Sequence, residues 1–259
     1  MNLFHALLLG IVEGLTEFLP VSSTAHLILT SNLLGLPQTE TLKSFEISIQ
    51  TGAILAVILL YWRSLLRGKE VILKILAAFV PTAIIGLALH GIVKQYLLAS
   101  VPVVLWSLLI GGMVLIAFDW FHREKDSHTA DLGEMSYMQA IVIGLFQSIA
   151  IIPGVSRSAA TIIGGELMGM KRTAIVDFSF LLAIPTLGAA AALDLVKSAD
   201  TLSASDIPLF AVGTMTSFIV AYISSKWFLG YIKNHSFVVF GVYRILIGVI
   251  GFWFLVSGF

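Results

Sequence analysis

Six apolar runs constrain the fold of this chain more strongly than any other feature of its sequence. Each has roughly the 20 residues that an α-helix needs to cross a bilayer, and together they cover about 45–62, 75–93, 101–121, 175–196, 207–226 and 237–257. Only 12% of the residues are charged, about half the share in an average soluble domain, and the mean hydropathy is +0.98. Because a backbone in lipid satisfies its hydrogen bonds as helix, the sequence predicts an all-α polytopic membrane protein.

Two further apolar segments, 10–35 and 137–170, are broken in the middle by residues that disrupt helices. The first contains Pro20 and the second contains Pro153-Gly154, and proline removes a backbone donor that a continuing helix needs. We expect each segment to form a re-entrant helix–loop–helix element, which enters and leaves the membrane by the same face. The predicted fold therefore has six full transmembrane helices and two re-entrant elements.

The two broken segments resemble each other, which predicts an internal duplication. A shift of 134 residues places Val21-Ser22-Ser23 on Val155-Ser156-Arg157. The same shift places Leu33-Leu34-Gly35 on Leu167-Met168-Gly169. Short apolar matches carry little weight singly, but these occur in the same order along the chain.

The duplication divides one integral membrane domain, 1–259, into two repeats of about 1–121 and 137–259, joined by a polar loop of about 122–136. Each repeat has one broken element and three spans, an odd number of crossings, so the second repeat is expected to have inverted topology. Inverted repeats with interrupted helices place their functional site near the midplane, between the repeats. The two breaks are therefore expected to meet.

Ten of the fifteen lysines and arginines fall on one side of the predicted spans. They are Arg63, Arg67, Lys69, Lys74, Arg123, Lys125, Lys171, Arg172, Lys226 and Lys233. Lys43, Lys94 and Lys197 fall on the other side, and Arg157 and Arg244 lie at membrane depth. Because cytoplasmic loops carry the excess of basic residues, we expect the ten-residue side to be cytoplasmic and both termini to lie outside. Arg244 is expected to snorkel to the surface or to pair with an acid.

Glu13 and Glu17 lie inside the first broken segment, where ionisable groups are costly and mark functional sites. Their spacing of four residues puts them on one face of a helix, a turn apart. Two like charges at that distance repel each other unless a cation lies between them. A divalent metal held by oxygen ligands or the guanidinium of Arg157 would serve.

Ser22, Ser23 and Thr24 follow Pro20 at the point where the next helix would begin. They can act as helix caps, or the helix start can bind an anion with one hydroxyl as nucleophile. His26 lies three residues after Ser23, within reach of that hydroxyl as a base or proton donor.

Arg157 follows the second break, flanked by Ser156 and Ser158 and followed by Thr161. Arginine binds phosphate through two parallel hydrogen bonds and stays charged when it is desolvated; its alternative role is as counter-ion to a glutamate. Phosphoryl transfer depends on charge neutralisation and alignment. The groups predicted here suit it: two acids, a candidate nucleophile, a histidine, an arginine and two helix N-termini. Gln50, near the start of a span, is a weaker candidate, explained as well by helix packing.

The segments Glu13–His26, EGLTEFLPVSSTAH, and Pro153–Thr161, PGVSRSAAT, resemble the two signature motifs of the bacterial undecaprenyl-diphosphate phosphatase family, also called bacitracin-resistance proteins. The resemblance implies hydrolysis of undecaprenyl diphosphate to undecaprenyl phosphate and inorganic phosphate, which recycles the lipid carrier for cell-wall synthesis and confers bacitracin resistance. It also implies a bacterial inner membrane location with the site open to the periplasm.

By the same resemblance, Glu13 and Glu17 would handle a divalent metal, Mg²⁺ or Ca²⁺, and acid–base work. Ser23 would be the nucleophile with His26 as its partner, and Arg157 would hold the diphosphate. The remaining substrate ligands are predicted to be Ser22, Thr24, Gln50, Ser156, Ser158 and Thr161. A water activated by Glu17 or His26 is the rival to Ser23 as the attacking group.

The partners expected are a prenyl diphosphate lipid and the bilayer, with a homodimer as an option and no nucleic acid. A cleaved signal peptide is not expected, because residues 1–5 lack a basic region. The alternative function is a lipid-phosphate transporter or flippase, since carriers also use inverted repeats with broken helices. A carrier needs no nucleophile, which separates the two functions.

Overall fold

The chain folds almost entirely into helix in the part that the structure, a computed structural model, describes: residues 1–93, 97, 100–125, 127–198, 203 and 206–257. Ten α-helices are found there. They are α1 (Leu3–Thr16), α2 (Ser23–Leu33), α3 (Glu40–Arg67), α4 (Lys69–Ile92), α5 (Val101–Phe121), α6 (Tyr137–Ser148), α7 (Arg157–Leu167), α8 (Arg172–Ser198), α9 (Ile207–Tyr231) and α10 (Val238–Ser257). A 3₁₀ turn, Ile149–Ile151, continues α6.

Six of these helices, α3, α4, α5, α8, α9 and α10, are long and apolar enough to cross a membrane. The predicted set of six spans is confirmed, with one helix for each apolar run. The helices extend past the predicted ends where charged residues begin them; α3 starts at Glu40 and α4 at Lys69. Hydropathy locates the apolar core of each helix, whereas polar end residues such as Thr39, whose hydroxyl accepts from Leu42 N at 3.2 Å, extend the helix beyond that core.

The two broken segments are interrupted where the prolines indicated. In the first, α1 and α2 are separated by a turn that contains Pro20, and in the second, α6 and α7 by a turn that contains Pro153. Ser22 and Ser156 cap α2 and α7 with positive φ angles of 71° and 78°. A non-glycine residue in that conformation is strained, by about 1–3 kcal/mol, so the surrounding contacts must hold both serines in place.

The shift of 134 residues that relates the two segments in sequence also relates their local structure. Asn2 and Ser136 each cap a helix in a reciprocal capping box. Gly35 and Gly169 both have positive φ, 63° and 79°. The two halves of the chain therefore share the order and the terminal geometry of their elements at these positions.

The halves interlock, because each broken element packs against the other half. α1 packs on α9 and α6 packs on α4, while α3 pairs with α8 and α5 with α10. Glycine permits both close approaches: a Cβ on Gly10 would lie 2.6 Å from the carbonyl oxygen of Gly213, and one on Gly144 would lie 2.0 Å from that of Ala78. Gly10 and Gly144 are again 134 residues apart.

At one end of the helix bundle, basic side chains connect neighbouring helices. These side chains were all predicted to lie on the same side of the membrane. Arg172, at the start of α8, forms ion pairs with Asp119 at 2.7 Å and with Glu166 at 3.1 Å. Lys74 donates to the carbonyl oxygen of Gly133 in the connecting loop at 2.6 Å. These contacts gather the adjoining ends of α4, α5, α7 and α8. Lys94, predicted on the opposite side, lies outside the described residues.

Candidate active site

The side chain of Arg244 joins the two helix breaks. One of its terminal nitrogens, Nη1, donates to the carbonyl oxygens of Pro20 at 3.3 Å and Val155 at 2.9 Å. The other, Nη2, donates to those of Gly154 at 2.8 Å and Ser107 at 3.0 Å. The two turns are therefore neighbours, as the repeat predicted.

Arg244 itself is fully buried, which corrects the expectation that it snorkels or pairs with an acid. Its charge is stabilised by four backbone carbonyls instead, and charge-assisted hydrogen bonds of this kind are about twice as strong as neutral ones. Carbonyl acceptors exist at every residue, so no sequence pattern could have identified these partners.

Ser23, Glu17 and Arg157 form one connected group between the turns. The Ser23 hydroxyl donates a short hydrogen bond to Oε2 of Glu17. The other carboxylate oxygen, Oε1, accepts from Arg157 Nη2 at 3.2 Å and Nε at 3.4 Å. Glu17 thus links a hydroxyl from the first half to a cation from the second.

Arg157 is held in place by the backbone and by an aromatic ring as well as by Glu17. Its Nη1 donates to the carbonyl oxygen of Ser179 at 2.8 Å, and its guanidinium carbon lies 5.6 Å from the centroid of the Phe18 ring. The guanidinium is therefore anchored on three sides while the residue still lines a cavity.

Glu13 lies one helical turn before Glu17 and is fully buried. Neither of its carboxylate oxygens has a hydrogen-bond partner among the described residues. Buried carboxylates without a partner are costly, so this pair of oxygens suits a cation. Within the described ranges, no cluster of three or more histidine and acidic residues is placed to hold a metal, so Glu13 and Glu17 are the acids that would hold an ion here.

A cavity of about 610 Å³ opens beside this group. Its polar lining includes the candidate residues Glu17, Ser22, Ser23, Thr24, Gln50, Ser156 and Arg157. Its apolar lining includes Phe79, Leu87, Ile151, Leu187 and Leu193, from α4, the 3₁₀ turn and α8. The cavity therefore joins an anion-binding end to a hydrocarbon-lined wall, which suits an amphiphile with a phosphate headgroup.

Comparison with known proteins identifies the family. The family model for the bacitracin resistance protein BacA matches residues 6–250. This chain belongs to the BacA family. A curated relative from Aquifex aeolicus, named undecaprenyl-diphosphatase, is 51% identical over 250 residues, covering 96% of this chain and 97% of the relative.

Two further relatives of the same name come from other bacteria. The one from Wolinella succinogenes is 46% identical over 255 residues, covering 98% of this chain and 99% of the relative. The one from Campylobacter jejuni is 47% identical over 262 residues, covering 100% and 96%. The likeness to BacA proteins therefore spans both broken elements and all six long helices.

His26 in this BacA chain does not contact Ser23, contrary to the pairing expected from their spacing. Its Nδ1 lies 2.7 Å from the carbonyl oxygen of Ser22 and its Nε2 lies 2.8 Å from the hydroxyl of Tyr243. The Ser23 and His26 side chains point in different directions. The turn before α2 directs the Ser23 hydroxyl back to Glu17, while α2 carries His26 towards α10.

Ser158 and Thr161 were predicted to bind substrate but lie outside the residues that line the cavity. The Ser158 hydroxyl donates to the carbonyl oxygen of Phe18 at 2.9 Å, and the Thr161 hydroxyl lies 2.6 Å from that of Ser179. Both side chains hold the site's framework in this structure. Their contact with substrate stays a prediction.

Thr82, Gln147 and Thr186 line the cavity and were not singled out from the sequence. Gln147 Nε2 donates to Thr82 Oγ1 at 3.0 Å and to Thr186 Oγ1 at 3.1 Å. Gln147 stands at the position related by the 134-residue shift to Glu13, and that correspondence was the available signal. Gln147 shows that the second half keeps a polar, uncharged group where the first half has its acid.

Proposed function

We propose that this chain hydrolyses undecaprenyl diphosphate to undecaprenyl phosphate and inorganic phosphate, returning the lipid carrier to cell-wall synthesis and conferring bacitracin resistance. The curated relatives named undecaprenyl-diphosphatase support the substrate and the reaction. The observation that carries the chemistry is the hydrogen bond from Ser23 to Glu17, with Arg157 on the same carboxylate. A nucleophile, a base and a phosphate-binding cation meet at the polar end of a cavity with an apolar wall.

Ser23 Oγ attacks the terminal phosphorus while its proton passes to Glu17. A new Ser23 O–P bond forms and the bond from that phosphorus to the bridging oxygen breaks, which releases undecaprenyl phosphate. Water then attacks the phosphoserine, inorganic phosphate leaves, and Ser23 Oγ regains a proton from Glu17. Glu17 serves as base and then as acid, because the Ser23 hydroxyl already donates to it.

The charge on the transferring phosphoryl group is stabilised by Arg157 and by two helix N-termini. α2 begins at Ser23 and α7 begins at Arg157, and the first N–H groups of a helix lack intrahelical acceptors. The Ser22 and Ser156 hydroxyls accept from Ala25 N and Ala159 N, so the earlier N–H groups of each helix remain for phosphate oxygens. Preorganised donors of this kind are a large contribution to catalysis.

A divalent cation, Mg²⁺ or Ca²⁺, is proposed at Glu13 and Glu17. The unpartnered oxygens of Glu13 support this site. When bound, such an ion would neutralise charge on the diphosphate oxygens. Glu13 and Glu17 would hold it, and Arg157 would remain the protein's own cation, bonded to Oε1 of Glu17.

We place the chain in the bacterial inner membrane as an inverted repeat, with α1–α2 and α6–α7 re-entrant and both termini periplasmic. The interlocked packing of α1 on α9 and α6 on α4 supports the repeat. Leu87 and Leu193 line the cavity near the carboxyl ends of α4 and α8, the ends away from Lys69 and Arg172. With the basic end cytoplasmic, the cavity opens towards the periplasm. A homodimer stays a prediction.

The flippase alternative is not favoured. The relatives carry the name of a hydrolase, and the geometry prepares a nucleophile that a carrier would not use.

Phosphate release in detergent tests the proposal, because detergent removes the two compartments that transport requires. Wild-type protein is expected to release inorganic phosphate from undecaprenyl diphosphate, and Ser23→Ala is expected to lose at least a thousandfold in kcat while still binding the lipid. Ser225→Ala is the matched control, since Ser225 is equally buried and lies outside the cavity lining. Turnover by Ser23→Ala within tenfold of wild type would reject Ser23 as nucleophile in favour of a water activated by Glu17.

A further inference from the structure

The imidazole of His26 is fixed in one tautomer by its two neighbours. Nδ1 lies 2.7 Å from the carbonyl oxygen of Ser22, which can only accept, so Nδ1 carries the hydrogen. Nε2 of the neutral ring therefore accepts from the Tyr243 hydroxyl at 2.8 Å. The two rings also stack, with an interplanar angle of 2°. Both nitrogens are occupied, and neither is available to Ser23.

The Ser22 carbonyl that His26 binds belongs to the peptide that joins Ser22 to Ser23. That oxygen also accepts from the backbone N–H of His26 at 3.3 Å. In the described part of the chain, Ser22 is one of two non-glycine residues with a strained, positive φ angle. Arg244, the residue after Tyr243, holds the carbonyl of Pro20 at the other end of the same turn. Two consecutive residues of α10 thus hold both ends of the turn that presents Ser23.

The second turn shows that the imidazole is not needed to form this backbone. Ser156 has φ 78° and the same cap to a backbone N–H three residues on, yet the residue that corresponds to His26 is Ala160. An apolar cavity of about 340 Å³ lies beside Ala160, lined also by Phe146 and Ile163. The contact from Tyr243 of α10 through the His26 imidazole is therefore made to the turn that carries Ser23 and has no counterpart at the second turn.

We propose that Tyr243 is a positioning residue for hydrolysis, acting through His26 to fix the Ser22–Ser23 peptide and so keep the Ser23 hydroxyl on Glu17. The proposal rests on the function assigned above to Ser23. Tyr243 is not among the residues that line the cavity, and its hydroxyl bonds His26, so its loss should lower kcat and leave KM nearly unchanged. One neutral hydrogen bond corresponds to about a 2- to 13-fold change in rate.

A double-mutant cycle tests this route. Tyr243→Phe, which keeps the ring and removes the hydroxyl, is expected to lower kcat about 2- to 13-fold. His26→Asn keeps a donor near the Ser22 carbonyl but does not reach Tyr243. In that background, Tyr243→Phe is expected to cost less than twofold further, because residues acting in series are not additive. Tyr231→Phe is the matched control, another tyrosine stacked on a histidine, His235, and should keep full activity.

Nitrogen-15 NMR of histidine-labelled protein gives a second measurement, which reports the hydrogen bond between Tyr243 and His26 directly. Tyr243→Phe should move the Nε2 resonance of His26 towards that of an unbonded nitrogen, with Nδ1 still protonated and the melting temperature unchanged. Multiplicative losses in the cycle, or an unchanged kcat and Nε2 resonance in Tyr243→Phe, would overturn the proposal. Residual turnover by Ser23→Ala would instead overturn the nucleophile, and the two failures are distinct.

Discussion

Glu17 and Arg157 are 140 residues apart in the sequence and form an ion pair with a nitrogen–oxygen distance of 3.2 Å. Each comes from a different half of the chain, next to the break in a different helix. Both side chains are largely buried, so neither charge could be tolerated at this depth without the other. Glu17 and Arg157 therefore depend on each other for their burial.

Replacing Glu17 with glutamine should remove the proton acceptor while keeping the size of the side chain. We expect kcat to fall about 10²- to 10⁴-fold, the usual contribution of a positioned general base. Steady-state kinetics with undecaprenyl diphosphate in detergent would measure it. Glu46→Gln is the control, an acid on α3 that accepts from Ser31 at 3.3 Å outside the cavity lining. A Glu17→Gln enzyme within tenfold of wild type would contradict the role.

Arg157→Lys should lower kcat/KM about 10²- to 10³-fold, as loss of one preorganised donor does at comparable sites. Lysine keeps the charge but lacks the planar fork that bonds Glu17, Ser179 and phosphate together. Arg172→Lys is a close control. Like Arg157, Arg172 forms buried ion pairs, here with Asp119 and Glu166, and packs on an aromatic ring, Phe237 at 4.7 Å, but at the basic end of the bundle. If both variants lose the same activity, the effect is general and the specific role of Arg157 fails.

Glu13→Gln is expected to weaken divalent cation binding. Chelation should abolish turnover in wild type and Mg²⁺ should restore it, and the variant should need about 10- to 100-fold more Mg²⁺ for half-maximal rate, by analogy with lost metal-site residues. A Mg²⁺ titration of phosphate release in both proteins measures this. Full turnover in the presence of chelator would refute the metal.

Arg244→Met should destabilise the fold as well as the site. Removing the guanidinium leaves buried carbonyls at both turns without a donor, at about 1–3 kcal/mol for each oxygen. We expect the free energy of unfolding in mixed micelles to fall by roughly 3 kcal/mol or more. Ser23→Ala should leave that free energy nearly unchanged. Equal stability of Arg244→Met and wild type would show that other groups hold the turns together.

Gly144→Ala should disturb the packing of α6 on α4, because the new Cβ would lie 2.0 Å from the carbonyl oxygen of Ala78. Overpacking of this kind costs about 1–3 kcal/mol, so the melting temperature should drop. Gly188→Ala provides the comparison, since a Cβ there meets nothing within 4 Å. The idea fails if the two alanines have the same effect on melting.

The sequence predicted the helices and the breaks because both follow from strong local chemistry. Runs of about 20 apolar residues predict spans, and the breaks contain Pro20 and Pro153, whereas Pro81 and Pro185 lie inside α4 and α8 without ending them. Helix ends such as Glu40 were missed by a few residues, since hydropathy falls before the helix stops. The closeness of the two breaks followed from the duplication, a long-range inference that few single sequences allow.

The residues of the site could be predicted from the sequence, but the hydrogen bonds between them could not. Glu17, Ser23 and Arg157 stand out as polar groups in apolar sequence, but which of them bond depends on the backbone of two strained turns. His26 illustrates the limit, because helical spacing allowed a contact with Ser23 while the real partners are a carbonyl and a tyrosine 217 residues away. Arg244 binds only carbonyls, and those carry no sequence signal.

The distance of 140 residues between Glu17 and Arg157 has a consequence for synthesis. At about 5–20 residues per second, the ribosome needs roughly 7–28 s to add the arginine after the glutamate. During that time the acids of the first half are present without their cation, so the nascent chain must keep α1 in a hydrated setting. Final insertion of α1 is thus expected to be a late step in biogenesis.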